Sequence, residues 1–140
     1  MTKEDSPSWA IQYIGRPWIA GERGPESFDC WGLFLWVQKT HFSRELPVIP
    51  VDALNLRTVL HTFKTHPERQ RWAVVDVPQQ GDAVLIRQSR HPVHVGVWVE
   101  ADGGGVLHCA QQAGVVFQQL SSLASHGWQV EGYYRWKESP

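Results

Sequence analysis

Cys30, His94 and His108 are the residues of this chain whose types and surroundings could do covalent chemistry. Cys30 opens the apolar run CWGLFLWVQ, immediately after Asp29. A thiol becomes a good nucleophile when its pKa is lowered, and a helix N-terminus lowers it by presenting free N–H groups and the positive end of the dipole. Asp29 is a good N-cap residue, so Cys30 would fall in the first helical turn and Gly32 where a substrate must approach closely. The competing reading is packing, since a free Cys in an apolar helix is more often core than catalyst.

A base for that thiol is expected in the strand-rich half. Side chains alternate along a strand, so His94, Gly96 and Trp98 share one face while Val93, Val95, Val97 and Val99 share the other. The turn segment ADGGG (Ala101 to Gly105) folds the chain about Gly103 and predicts Trp98 opposite His108. His94 and His108 then lie on one face, two pairs apart, a gap closed if the strands twist or the turn shifts by two residues. Cys109 has the opposite parity and reads as core. A cysteine, a histidine and a third polar group form the arrangement in which the base takes the thiol proton and the third residue fixes its tautomer. His108 suits that third role, or is a strand histidine satisfied by a backbone carbonyl.

His91, His94, His108 and Cys109 are all possible zinc ligands. Parity argues against a shared site, and no cofactor is expected. His41, His61, His66 and His126 lie in polar surroundings and are expected to be solvated. Most of the 8 Trp read as core, with Trp18, Trp31 and Trp98 as candidates for lining a substrate cleft.

The elements that must position these residues can be read from pattern. Ser6 or Ser8 can cap a helix from Trp9 to Ile14, ended by Gly15 and stopped by Pro17. A loop from Gly21 to Phe28 leads into the run Cys30 to Gln38, which is apolar on nearly every side and is therefore expected to lie buried against a sheet. The stretch His41 to Gln79 is broken by Pro47 and Pro50, carries a weak helical pattern over Val51 to Lys64, and reads as peripheral. From Asp82 onward, AVLIR, VHVGVWVE, GVLHCAQ, GVVFQQL and EGYYRW are short β-branched and aromatic runs parted by turn residues, the pattern of an antiparallel meander. Helices first and sheet second predict an α+β domain.

The 140 residues suit one domain spanning 1–140, and 42% hydrophobic residues suffice for a packed core. The 13 basic and 14 acidic residues give a net charge of -1 with no basic cluster, which speaks against a nucleic-acid partner. No apolar run has signal-peptide or membrane-span length. The chain is expected to be a monomer made and released in the cytoplasm, so that a role at the cell wall would need a carrier. The 2 cysteines argue against a disulfide framework.

Four segments together carry a resemblance. They are YIGRPWIAGERGP (Tyr13 to Pro25), FDCWGL (Phe28 to Leu33), QGDAVLI (Gln80 to Ile86), and HVGVWV with VLHCAQQAGV (His94 to Val99, Val106 to Val115). In this order the chain resembles the NlpC-type peptidoglycan peptidases, a branch of the papain-like cysteine hydrolases. The resemblance implies Cys30 as nucleophile, His94 as base and His108 as third polar residue, with Trp18, Asp29, Trp31, Gly32 and Trp98 near the substrate. It also implies a peptidoglycan stem peptide as substrate, cut between D-glutamate and diaminopimelate. FDCWGL together with EGYYRW (Glu131 to Trp136) looks like the subgroup found in tailed phages and prophages, whose partners are other tail proteins. Trp18 stands where many cell-wall members carry Tyr, which would leave oxyanion stabilisation mainly to the backbone N–H of Cys30. Two other readings stay open: a non-enzymatic tail-tip assembly protein, and an injected amidase or toxin of the same fold.

Overall fold

The computed structural model describes residues 8–44, 72–88, 94–101 and 103–136. Two helices come first, α1 (Ser8–Ile11) and α2 (Cys30–Phe42). The strands β1 (Trp72–Val75), β2 (Ala83–Gln88), β3 (His94–Val99), β4 (Gly105–Ala110) and β5 (Gly114–Gln118) follow, then a short helix α3 (Leu120–Ser125) and β6 (Trp128–Trp136). All pairings are antiparallel, in the order β1-β6-β2-β3-β4-β5. The architecture is α+β, as the run of helices followed by strands predicts.

The strands depart from the expected meander in two ways. Only β2 to β5 follow one another across the sheet; β6 returns to the free edge of β2, and β1 pairs beyond it. β1 comes from the stretch expected to be peripheral. Its four residues carry no alternation long enough to be read, and the partner that makes them a strand arrives 60 or so residues later, a non-local pairing on which sequence pattern is silent. The helical pattern over Val51 to Lys64, together with His61, His66, His91 and Val93, lies outside the described residues.

Strand parity holds. One sheet face carries Ala83, Leu85, Val95, Val97, Val99, Leu107, Cys109 and Val115, packed with Trp31, Leu33, Phe34 and Val37. The other carries Val84, Ile86, Trp98 and Val106, covered by Leu123 of α3 with Trp128 and Tyr133 of β6. Every residue of β3 is therefore buried. Each fully buried Leu or Phe contributes on the order of 2 kcal/mol, so α2 is held chiefly by its sheet face.

Its other side explains why the run was apolar all round. The Trp36 indole N–H donates to Tyr13 Oη at 2.9 Å, and Tyr13 Oη bonds His41 Nε2 at 2.8 Å. Trp9 stacks on the His41 ring with centroids 4.2 Å apart. His41 is thus not solvated, as its polar neighbours in sequence suggested, but part of the packing of the N-terminal segment on α2. α1 also stops at Ile11, short of the expected Ile14. The chain leaves it in tight turns, and Gly15 N and Arg16 O then bond Val115 of β5, pulling the segment away from a helical path.

The β3–β4 hairpin places Trp98 opposite Val106, not His108. The two-residue shift brings His108 beside Gly96, where a Cβ would stand 2.5 Å from Val106 Cγ1, 2.9 Å from Leu107 O and 3.1 Å from His108 Cβ. Only glycine permits that approach. Gly96→Ala is expected to lower stability by about 1–3 kcal/mol through overpacking, read as a drop in the urea midpoint.

Candidate active site

The loop before α2 converges on one buried carboxylate. Asp29 Oδ1 accepts from Gly32 N at 2.6 Å, Oδ2 accepts from Gly21 N at 2.9 Å, and Arg23 Nη1 donates to Oδ1 at 2.8 Å. Asp29 is the N-cap that sequence alone indicated, with extended backbone and an accepting side chain. Cys30 follows as the first residue of α2, 1% exposed. The backbone N–H groups of Cys30, Trp31 and Val95 point at its sulfur.

Val95 links this helix to the histidines. The registered β3–β4 pairs end at Val97 and Leu107, so the N–H of Val95 serves Cys30 Sγ. Cys30 thus reaches the sheet from the α2 face, at the backbone neighbour of His94. The histidines rise on the opposite face, where His108 Nδ1 lies 3.2 Å from His94 Nε2. Trp128 packs on both rings, with centroids 5.1 Å from His94 and 5.4 Å from His108.

A sequence model of the NlpC/P60 family matches residues 15–133. The chain belongs to the NlpC/P60 family. The fold is similar to that of the NlpC/p60 domain of the peptidoglycan hydrolase SagA, at 15% identity over 96% of this chain and 99% of that one, with a TM-score of 0.60. NlpC2 and NlpC1 from Trichomonas vaginalis each give 18% identity over 95% of this chain and a TM-score of 0.62. This chain spans less than half of those two proteins, 46% and 43% respectively. No curated protein matches by sequence. The α+β fold of this NlpC/P60 chain is therefore papain-like.

The electrostatics of this NlpC/P60 site differ from the sequence expectation. Burial pushes the Cys30 thiol up to about 12, and the Asp29 carboxylate adds to the rise, outweighing the three backbone N–H groups. A helix N-terminus lowers a thiol pKa when water or cations share the site; here the sulfur is desolvated and beside a negative charge. Burial also holds His94 well below the usual histidine range, with His108 adding to the effect. His108 is pushed down to about 4, again by burial, against a bond to Gln118 that raises it. At rest the Cys30 thiol and both imidazoles are neutral.

The other residues singled out in the sequence are placed as follows. Gly32 faces backbone, since a Cβ there would collide with Glu22 O and come within 3.0 Å of Asp29 Oδ1. Trp31 is buried in the core, stacked on Phe34 at 5.3 Å. Trp98 is buried on the other sheet face against Tyr133. Trp18 is half-buried and bridges to Phe28 beside the Asp29 loop. Cys109 is core, and its thiol donates to Phe28 O at 3.3 Å. Gln118 and Trp128, which touch the histidines directly, were not found from sequence. Neither sits in a motif, and only the sheet order brings β5 and β6 to this spot. Among the described residues no three His, Cys, Asp or Glu side chains are arranged to hold a metal ion, and no helix is long and apolar enough to cross a membrane.

These shifts set the pH range of stability. His41, His94 and His108 titrate lower in the folded protein, so below about pH 6.5 the unfolded chain takes up protons that the folded one refuses, and stability falls. Cys30 and Cys109 are both pushed up to about 12. Above about pH 8.5 the unfolded chain releases thiol protons first, and stability falls again. Urea midpoints are expected to peak between these limits; a midpoint at pH 5.5 equal to that at pH 7.5 contradicts buried neutral histidines.

Proposed function

We propose that this NlpC/P60 chain is a peptidoglycan endopeptidase that hydrolyses an amide bond of the stem peptide, between D-glutamate and diaminopimelate, with Cys30 as nucleophile and His94 as base. The observation that carries this reading is the 3.2 Å contact of His94 Nε2 with His108, one residue from the backbone N–H that meets Cys30 Sγ. In this reading His108 occupies Nε2 of His94, and Nδ1 is the nitrogen that serves as base. The fold similarity to the SagA domain, which belongs to a peptidoglycan hydrolase, supports the substrate class.

The chemistry follows from a neutral pair. As Cys30 Sγ attacks the scissile carbonyl carbon, its proton passes to His94 Nδ1, so no separated thiolate need exist in the buried resting site. The imidazolium donates from Nε2 to His108 Nδ1. The carbonyl oxygen, now an oxyanion, takes N–H groups that surround the sulfur at rest, that of Cys30 foremost. His94 then protonates the leaving amine, and an acyl-thioester remains. Water attacks the thioester with His94 again as base, and the carboxylate product and the Cys30 thiol are restored.

In this reading the whole chain acts as one monomeric domain, carried to the cell wall at the tip of a phage or prophage tail among other tail proteins. Support for the tail is the FDCWGL and EGYYRW segments. A second reading, a tail-tip assembly protein without activity, is favoured by the near-complete burial of Cys30 and His94, 1% and 4% exposed, and by the Trp128 cover.

Digestion of purified sacculi separates the two. The parent protein is expected to release muropeptides, while Cys30→Ala loses turnover by on the order of a thousandfold or more and keeps the parent's circular dichroism. Equal digestion by both disproves Cys30 as nucleophile, and no digestion by either favours the assembly protein. Mass spectrometry of the products reads the bond cut, and a cut elsewhere than after D-glutamate points to an amidase of the same fold.

A further inference from the structure

His108 has a second ring nitrogen, and its partner decides what His94 can do. His108 Nε2 lies 2.8 Å from Gln118 Oε1. A side-chain carbonyl can only accept, so the ring N–H of His108 must sit on Nε2. His108 is fully buried and neutral, with one ring proton to place. Its Nδ1 is then a bare lone pair, so the 3.2 Å contact needs a proton from His94 Nε2. That leaves His94 Nδ1 unprotonated. With the Gln118 amide reversed, each proton would move across its ring, and His94 would present N–H where a base is required.

We propose that Gln118 is a positioning residue that sets the tautomers of His108 and His94 in series, and so keeps His94 Nδ1 free to take the Cys30 proton. The inference rests on the reading of His94 as base.

The far end of the Gln118 amide meets α3 and the residue after it. Gln118 ends β5 and α3 begins two residues later, so Ser122 lies one turn into α3, beside the Gln118 side chain. The amide nitrogen of Gln118 donates to Ser122 Oγ at 3.4 Å and lies 3.3 Å from His126 Nδ1. His126 Nδ1 is 2.8 Å from Ser122 O, a pure acceptor, so it carries a proton there and offers the amide no lone pair. Ser125 Oγ donates to the same carbonyl at 3.0 Å and lies 3.5 Å from His126 Nδ1. The amide nitrogen of Gln118 thus faces the Ser122 hydroxyl, which can accept from it, and the carbonyl end is turned to His108. Gln118 is half-buried, and the proton it directs lies two hydrogen bonds away in the buried His94 ring.

The test reads tautomers directly. Two-bond ¹H–¹⁵N correlation spectra of histidine-labelled protein at neutral pH are expected to show both His94 and His108 protonated on Nε2. Gln118→Glu, which can also only accept, keeps both tautomers and moves the acid limb of the kcat profile to higher pH, because the added carboxylate favours the imidazolium. Gln118→Leu loses the preference at His108 and lowers kcat on the order of tenfold or more, with KM within about twofold. A parent His94 protonated on Nδ1 overturns the proposal, as does Gln118→Leu with parental tautomers and turnover. Should the parent and Cys30→Ala be equally inert on sacculi while the tautomers are as stated, the hydrolase reading falls and the Gln118 series stands.

Discussion

A buried carboxylate tolerates little freedom around it, and Asp29 turns that into structure. Fully inside the protein, it must be met by donors, and Gly21 N, Gly32 N and the Arg23 guanidinium supply them. Its backbone is held as well, Asp29 N by Glu22 O and Asp29 O by Leu33 N. The approach loop, the start of α2 and the position of Cys30 are therefore one hydrogen-bonded unit. Gly32 belongs to it because the Glu22 carbonyl passes where a side chain would begin. The same charge has a cost at the sulfur, since it helps push the thiol up to about 12.

That cost shapes the chemistry available. A site built on a preformed thiolate would need solvent or a cation near the sulfur, whereas Cys30 is buried with the Asp29 carboxylate as its charged neighbour among the described residues. What it has is backbone N–H groups, from its own helix start and from Val95, beyond the last registered β3–β4 pair. Such donors are fixed in place and need no reorganisation when negative charge develops, on sulfur or on a substrate oxygen. Under the proposed mechanism, a neutral imidazole that accepts the proton during attack suits this environment better than an ion pair. Trp128 keeps the two rings dry, which strengthens the bond between them and favours their neutral forms.

The sheet buries side chains on both of its faces. β3 is buried on both sides, with valines toward α2 and His94, Gly96 and Trp98 toward α3 and β6. The registered β3–β4 pairs end at Val97, and the N–H of Val95 beyond them faces the Cys30 sulfur. Gly96 then lets β4 come close enough for the diagonal bond between the histidines.

Local rules were legible in the sequence. The N-cap at Asp29, the buried apolar helix behind it, the strand runs from Asp82 onward, and the parity that joined His94 to His108 and left Cys109 in the core all follow from sterics and hydrogen bonding within a few residues of chain. What depended on distant partners was not. The hairpin register, the strand β1, the return of β6 to β2, His41 packed between Trp9 and Tyr13, and Gln118 behind His108 were decided by pairing across the sheet and between helices. The thiol is the clearest case. Sequence placed Cys30 at a helix start and so implied a lowered pKa, whereas the tertiary structure removed its water, and desolvation outweighs the dipole that the helix provides.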